Sequence, residues 1–91
     1  MKIRIGIVGD RDPSFRPHTA TDEALSHAAR ALSVDVEAAW VPTESLAPAA
    51  AAVLERFDGV WIAPGSPYRD IDGALGAIRF ARERDWPLVA T

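Results

Sequence analysis

Phe57-Asp58-Gly59-Val60-Trp61-Ile62-Ala63-Pro64-Gly65 holds a continuous apolar run, Val60 to Ala63, fenced by Asp-Gly on one side and Pro-Gly on the other. A short run without polar alternation is the pattern of a strand buried on both faces, as in a parallel sheet covered by helices. Upstream, Lys2-Ile3-Arg4-Ile5-Gly6-Ile7-Val8 is rich in β-branched residues and stops at Gly9-Asp10, which predicts a first strand entering a loop. Arg11 to His18 contains Pro13, Ser14 and Pro17 and reads as that loop. Thr19 or Thr21 is positioned to cap a helix from about Asp22 to Leu32, with Leu25, Ala28, Ala29 and Leu32 on its buried face. Val34, Val36, Ala38 and Trp40 alternate with Asp35 and Glu37, the mark of an edge strand.

Downstream of that edge, Thr43 and Pro48 punctuate the entry to an alanine-rich helix whose Ala50, Val53, Leu54 and Phe57 suit the core. After Pro64-Gly65-Ser66-Pro67, Asp70 or Asp72 is expected to cap a helix that buries Ile71, Leu75, Ile78 and Ala81 and exposes Arg79, Arg82, Glu83 and Arg84. Pro87 precedes a last strand, Leu88 to Thr91. Strands separated by helices imply an α/β fold: a doubly wound parallel sheet, flavodoxin-like, incomplete, with about four strands. Residues 1–91 form one domain or part of one, with no repeat, low-complexity tract or linker, so a two-domain enzyme is excluded.

The composition narrows the function classes. A net charge of −3 with no clustered basic field argues against nucleic acid and against an anionic membrane as partner. No apolar stretch is long enough for a signal or a membrane span, which makes the cytoplasm the default location. The absence of cysteine removes a disulfide framework, a thiolate zinc site and a cysteine nucleophile from these 91 residues. No cofactor and no metal is expected.

In an open α/β sheet, ligands bind at the carboxyl ends of the strands, which directs attention to Gly9–Arg16, Pro42–Ser45, Pro64–Tyr68 and Thr91. A dinucleotide site would use Gly6 and Gly9, but the third glycine is missing and acids stand where pyrophosphate would lie. A magnesium-binding receiver site would use Asp10 and Asp12, but Ala63 stands where the acceptor aspartate would end the third strand. A serine hydrolase would pair Ser66 with His18 or His27, without the glycines of a nucleophile elbow. The bland readings are a solvated pair for Asp10 and Asp12, a loop position for His18, a helix surface for His27 and a strand-to-helix turn for Gly65-Ser66.

Longer motifs are more specific. Ile5-Gly6-Ile7-Val8-Gly9-Asp10, Thr21-Asp22-Glu23-Ala24-Leu25-Ser26-His27, Phe57 to Gly65, Tyr68-Arg69 and Arg79-Phe80-Ala81-Arg82-Glu83 together resemble the start of a class I glutamine amidotransferase domain. More narrowly they resemble the C-terminal glutaminase domain of CTP synthase and its stand-alone relatives, in register from Lys2 to Thr91. The resemblance implies that residues 1–91 are the N-terminal part of such a domain, serving glutamine hydrolysis for pyrimidine nucleotide synthesis. It implies glutamine as ligand, a cysteine-type nucleophile directly after Thr91 with histidine and glutamate partners further on, and no catalytic residue within the 91 themselves. It also implies that Gly65 and Ser66 belong to the loop donating a backbone N–H to the oxyanion. Ser66 replaces the family's second glycine, Pro67 has no N–H, and the loop is one residue shorter than in CTP synthase.

Three expectations follow from Thr91 standing before the nucleophile position. The 91 residues alone are inactive; the native product continues, with a selenocysteine encoded by UGA as one form of the next residue; and the last strand self-associates, pairs with a neighbouring chain or is covered by a downstream segment. The rival reading is a non-catalytic binding or assembly module that keeps the half-sheet.

Overall fold

The structure, a computed structural model, describes residues 2–46, 49–65 and 68–91. Its elements are β1 (Lys2–Val8), α1 (Arg16–Leu32), β2 (Asp35–Val41), a 3-10 turn (Thr43–Ser45), α2 (Ala50–Leu54), β3 (Gly59–Ile62), α3 (Ile71–Arg84) and β4 (Leu88–Ala90). The strands form one sheet in the order β2-β1-β3-β4, with every pairing parallel. The α/β class and the edge position of β2 are as expected.

Pairing register sorts the side chains into two faces, because successive residues of a strand point to opposite sides. Val41, Val8 and Ile62 lie in one row and, with Val60, Leu46, Leu54, Ala77 and Phe80, form the main core. Both α2 and α3 pack there. Trp40, Ile7, Trp61 and Val89 form the opposite row, over which α1 lies: its Asp22 accepts a 2.8 Å hydrogen bond from the Trp40 indole. The main core holds the larger cluster, whereas Trp61 is half-buried and Val89 is 55% exposed. The run read as buried on both faces is therefore fully covered on one.

Besides β4, which ends at Ala90 rather than Thr91, three boundaries and two helix faces differ from the sequence reading. On α1, Ala28 and Leu32 are exposed rather than buried. Helix α1 begins at Arg16, six residues before the expected Asp22, because Pro17 in the first turn forfeits only an N–H that has no helical partner there. Thr21 is consequently buried inside the helix, where its hydroxyl donates to the Pro17 carbonyl. Thr43 sits in a 3-10 turn rather than at the mouth of α2, and Pro48 lies outside the described residues. The third change is a small one, β3 ending at Ile62 rather than Ala63.

The largest correction concerns α3, which buries Gly73, Ala74, Ala77, Phe80 and Ala81 while Ile71, Leu75 and Ile78 remain exposed. Gly73 explains the choice. A Cβ there would collide with the Thr43 carbonyl oxygen, so the helix presents its small-residue side to the 3-10 turn at backbone contact distance. Of the two caps expected, Asp70 is the one used, accepting from the Asp72 and Gly73 amides.

Candidate functional site

Parallel strands deliver all their carboxyl ends to one end of the sheet. There Gly9 passes between Ala63 and Trp40, where a Cβ would lie 3.2 Å from the first and 3.3 Å from the second. Asp10 follows and is half-buried. Its Oδ1 accepts from the Thr43 amide at 3.0 Å, its Oδ2 accepts from the Arg69 amide at 2.8 Å, and the Thr43 hydroxyl donates to the same carboxylate. Thr43 Oγ1 in turn accepts from the Asp70 amide. Burial pushes the Asp10 carboxyl up, but the Arg69 amide, the Thr43 amide and hydroxyl and the Arg69 charge outweigh it, and the net effect is below the usual carboxylate range. One carboxylate thus ties together the segments after β1, β2 and β3. It is no solvated loop residue, and its lone pairs are committed to protein donors.

Asp12 is exposed, as expected, and closes a tight turn by accepting from the Ser14 amide and hydroxyl. Those two bonds lower its carboxyl pKa. The backbone amide of Asp12 points elsewhere, to His18 Nδ1 at 3.0 Å. His18 is not a loop residue: it lies in the first turn of α1, is 4% exposed, and its Nε2 donates to the Pro64 carbonyl at 2.7 Å. Phe15 meets its ring edge-on and Trp40 tilts against it. His27 is exposed on α1, as read from the sequence.

The segment after β3 completes the wall. Ala63 is fully buried, and its carbonyl accepts from the Tyr68 hydroxyl at 2.8 Å. Gly65 has φ +136, a conformation costly for any residue with a Cβ, and such a Cβ would also stand 3.3 Å from His18 Nε2. Ser66 and Pro67 lie outside the described residues. Asp10, Asp12, Phe15, His18, Pro64, Gly65 and Tyr68 enclose a cleft of about 180 Å³. Thr91 lies at the end of β4, its amide donating to the Ile62 carbonyl and its Oγ1 accepting from the Trp61 indole.

This arrangement supplies positioned backbone rather than side-chain chemistry. Both nitrogens of His18 and both oxygens of Asp10 are engaged, so neither group is free to act as a base. Among the described residues, no group of three His, Cys, Asp or Glu side chains is disposed to hold a metal ion. No helix among them is long and apolar enough to cross a membrane. The strand ends named from sequence do converge, but the parts played by Thr43, Tyr68, Phe15 and Trp40 did not emerge from it. The available signal was Pro17, which marks a helix first turn and would have brought His18 back over the sheet end.

No protein-family profile matches the chain. It is 40% identical to the CTP synthase of Encephalitozoon cuniculi over 96% of its own length and 16% of that enzyme's. It is 45% identical to the CTP synthase of Methanoregula boonei over 74% of the chain and 12% of the enzyme. The CTP synthase of Methanopyrus kandleri is 34% identical over 97% of the chain and 17% of the enzyme. The chain thus spans 12 to 17% of the length of these curated relatives.

Proposed function

This is a CTP synthase-related chain, homologous to a segment of those enzymes, and from that premise we propose that its cleft is the oxyanion side of a glutamine amidotransferase site. The observation that carries the reading is Gly65. It holds a positive φ three residues past the end of β3, the strand adjacent to β4. The β3–β4 ladder pairs Ile62 with Ala90, so a residue following Thr91 would stand in register with Pro64, next to Gly65. A nucleophile at that position and a backbone donor at Gly65 would face the same carbonyl. That is the geometry required to attack an amide and stabilise the resulting oxyanion. Glutamine is the proposed substrate, and ammonia and glutamate are the products.

The nucleophile is not among the 91 residues, which contain no cysteine. One oxyanion donor is worth about 10²–10³ in rate, whereas losing a nucleophile costs about 10⁶. The 91 residues alone therefore release no glutamate from glutamine in a coupled assay, and release above the buffer rate would overturn this assignment. The positive test is a longer protein that places cysteine or selenocysteine directly after Thr91, which is expected to release glutamate from glutamine. Either supplies a low-pKa, polarisable nucleophile.

A binding or assembly module is the second reading, favoured by the engagement of Asp10 with Thr43 and Arg69 and of His18 with Asp12 and Pro64. Calorimetry separates the two. Heat of binding at millimolar glutamine supports the amidotransferase site, and its absence favours the module.

A further inference from the structure

We propose that His18 is the positioning residue of this cleft, a strut whose two ring nitrogens bridge the Asp12 N–H and the Pro64 carbonyl and so set the direction of the Gly65 N–H. The two bonds define the tautomer. Nδ1 accepts from an amide and must be bare, while Nε2 faces a carbonyl oxygen and must carry the proton. The ring cannot drift, because Phe15 and Trp40 pack against it at centroid distances of 4.8 and 4.9 Å and it is almost wholly buried.

The consequence lies one bond further on. The Pro64–Gly65 peptide is planar, and in the trans form its C=O and N–H point in opposite directions. Holding the Pro64 oxygen on His18, which packs on Trp40 of β2, turns the Gly65 N–H away from the His18 ring. A glycine peptide at positive φ is otherwise free to rotate, since no Cβ restrains it. The Tyr68 hydroxyl secures the preceding carbonyl, that of Ala63, but does not touch this peptide plane. His18 is thus the contact that orients it. What that donor faces rests on the amidotransferase reading; the strut does not.

The test begins with the unmodified chain, labelled with ¹⁵N at its two histidines. Long-range ¹H–¹⁵N correlation should show His18 locked with its proton on Nε2, while the exposed His27 averages between tautomers and serves as the internal reference. A His18 signal that averages as His27 does overturns the proposal. His18→Phe then keeps an aromatic ring of similar size and removes both bonds. Hydrogen exchange of the Asp12 amide should accelerate about tenfold, as expected for losing one hydrogen bond, and the Gly65 amide resonance should move. His18→Gln, which retains a donor at the distance of Nε2, should restore the Gly65 resonance in part. A folded His18→Phe chain with unchanged Asp12 exchange and Gly65 resonance refutes the strut. In a longer protein that carries the nucleophile, His18→Phe should lower kcat at little change in KM. A confirmed strut with unaltered kcat would count against the amidotransferase reading and leave the strut standing.

Discussion

At the scale of single residues, the cleft is built from groups whose polar atoms are already spent. Asp10 is the clearest case, accepting from two amides and a hydroxyl contributed by two other loops. Asp10→Asn places an amide NH₂ against N–H donors and is expected to cost about 1.5–3 kcal/mol, the worth of hydrogen bonds to a charged acceptor, read by urea unfolding at neutral pH. The Asp10 carboxyl is depressed on folding, so its stabilisation is present above the unfolded-state value of about 3.9 and is lost as pH falls through the lower, folded value. The gap in melting temperature between wild type and Asp10→Asn should therefore close on acidification; a gap that widens in acid would contradict the assignment. Gly65→Ala meets both a positive φ and the His18 ring, and about 1–3 kcal/mol of destabilisation is expected. Gly73→Ala should be the worse of the two, because the obstacle is the Thr43 backbone carbonyl and α3 must move to relieve it.

At the scale of elements, helix α3 shows how a plausible apolar face loses to a closer fit. Ile71, Leu75 and Ile78 have helical spacing, yet they stand 54, 50 and 39% exposed. The glycine and alanines on the other side let the helix approach the sheet and the 3-10 turn, and the gain is core contact for Phe80. Leu75→Lys should accordingly change the unfolding free energy of the chain by no more than about 0.5 kcal/mol, as surface substitutions do. Ala77→Leu, inserting methylenes at a fully buried position, should cost about 1–3 kcal/mol. Chemical denaturation of the two variants compares the faces directly, and a larger loss for Leu75→Lys would restore the face expected from periodicity. Helix α1 teaches the complementary lesson: Pro17 reads as a breaker in isolation and as a first-turn residue once the helix is seen to start at Arg16.

For the whole molecule, the sheet is covered unequally, with α2 and α3 over one face and α1 alone over the other, and β4 forms an open edge. Val89 on that edge and Leu32 at the end of α1 are 55 and 72% exposed. Sedimentation of the 91-residue chain should show mass above 9.8 kDa as concentration rises, and Val89→Lys, a charge on a bare edge, should suppress the increase. Equal monomeric behaviour of both would dispose of association through β4. The parallel α/β plan, the edge position of β2, the Asp70 cap and the convergence of loops at the strand ends were all legible in the chain itself. Each is set by local pattern: β-branched runs, turn residues and a capping side chain act over a few neighbours. The buried face of α3 and the parts played by Thr43 and His18 were decided only by tertiary structure. Each depends on partners 27 to 46 residues away in sequence, as with Asp10 and Thr43, Thr43 and Asp70, or His18 and Pro64. Such contacts are selected by close packing and by the need to satisfy buried polar groups, and neither leaves a periodic trace in the residues that make them.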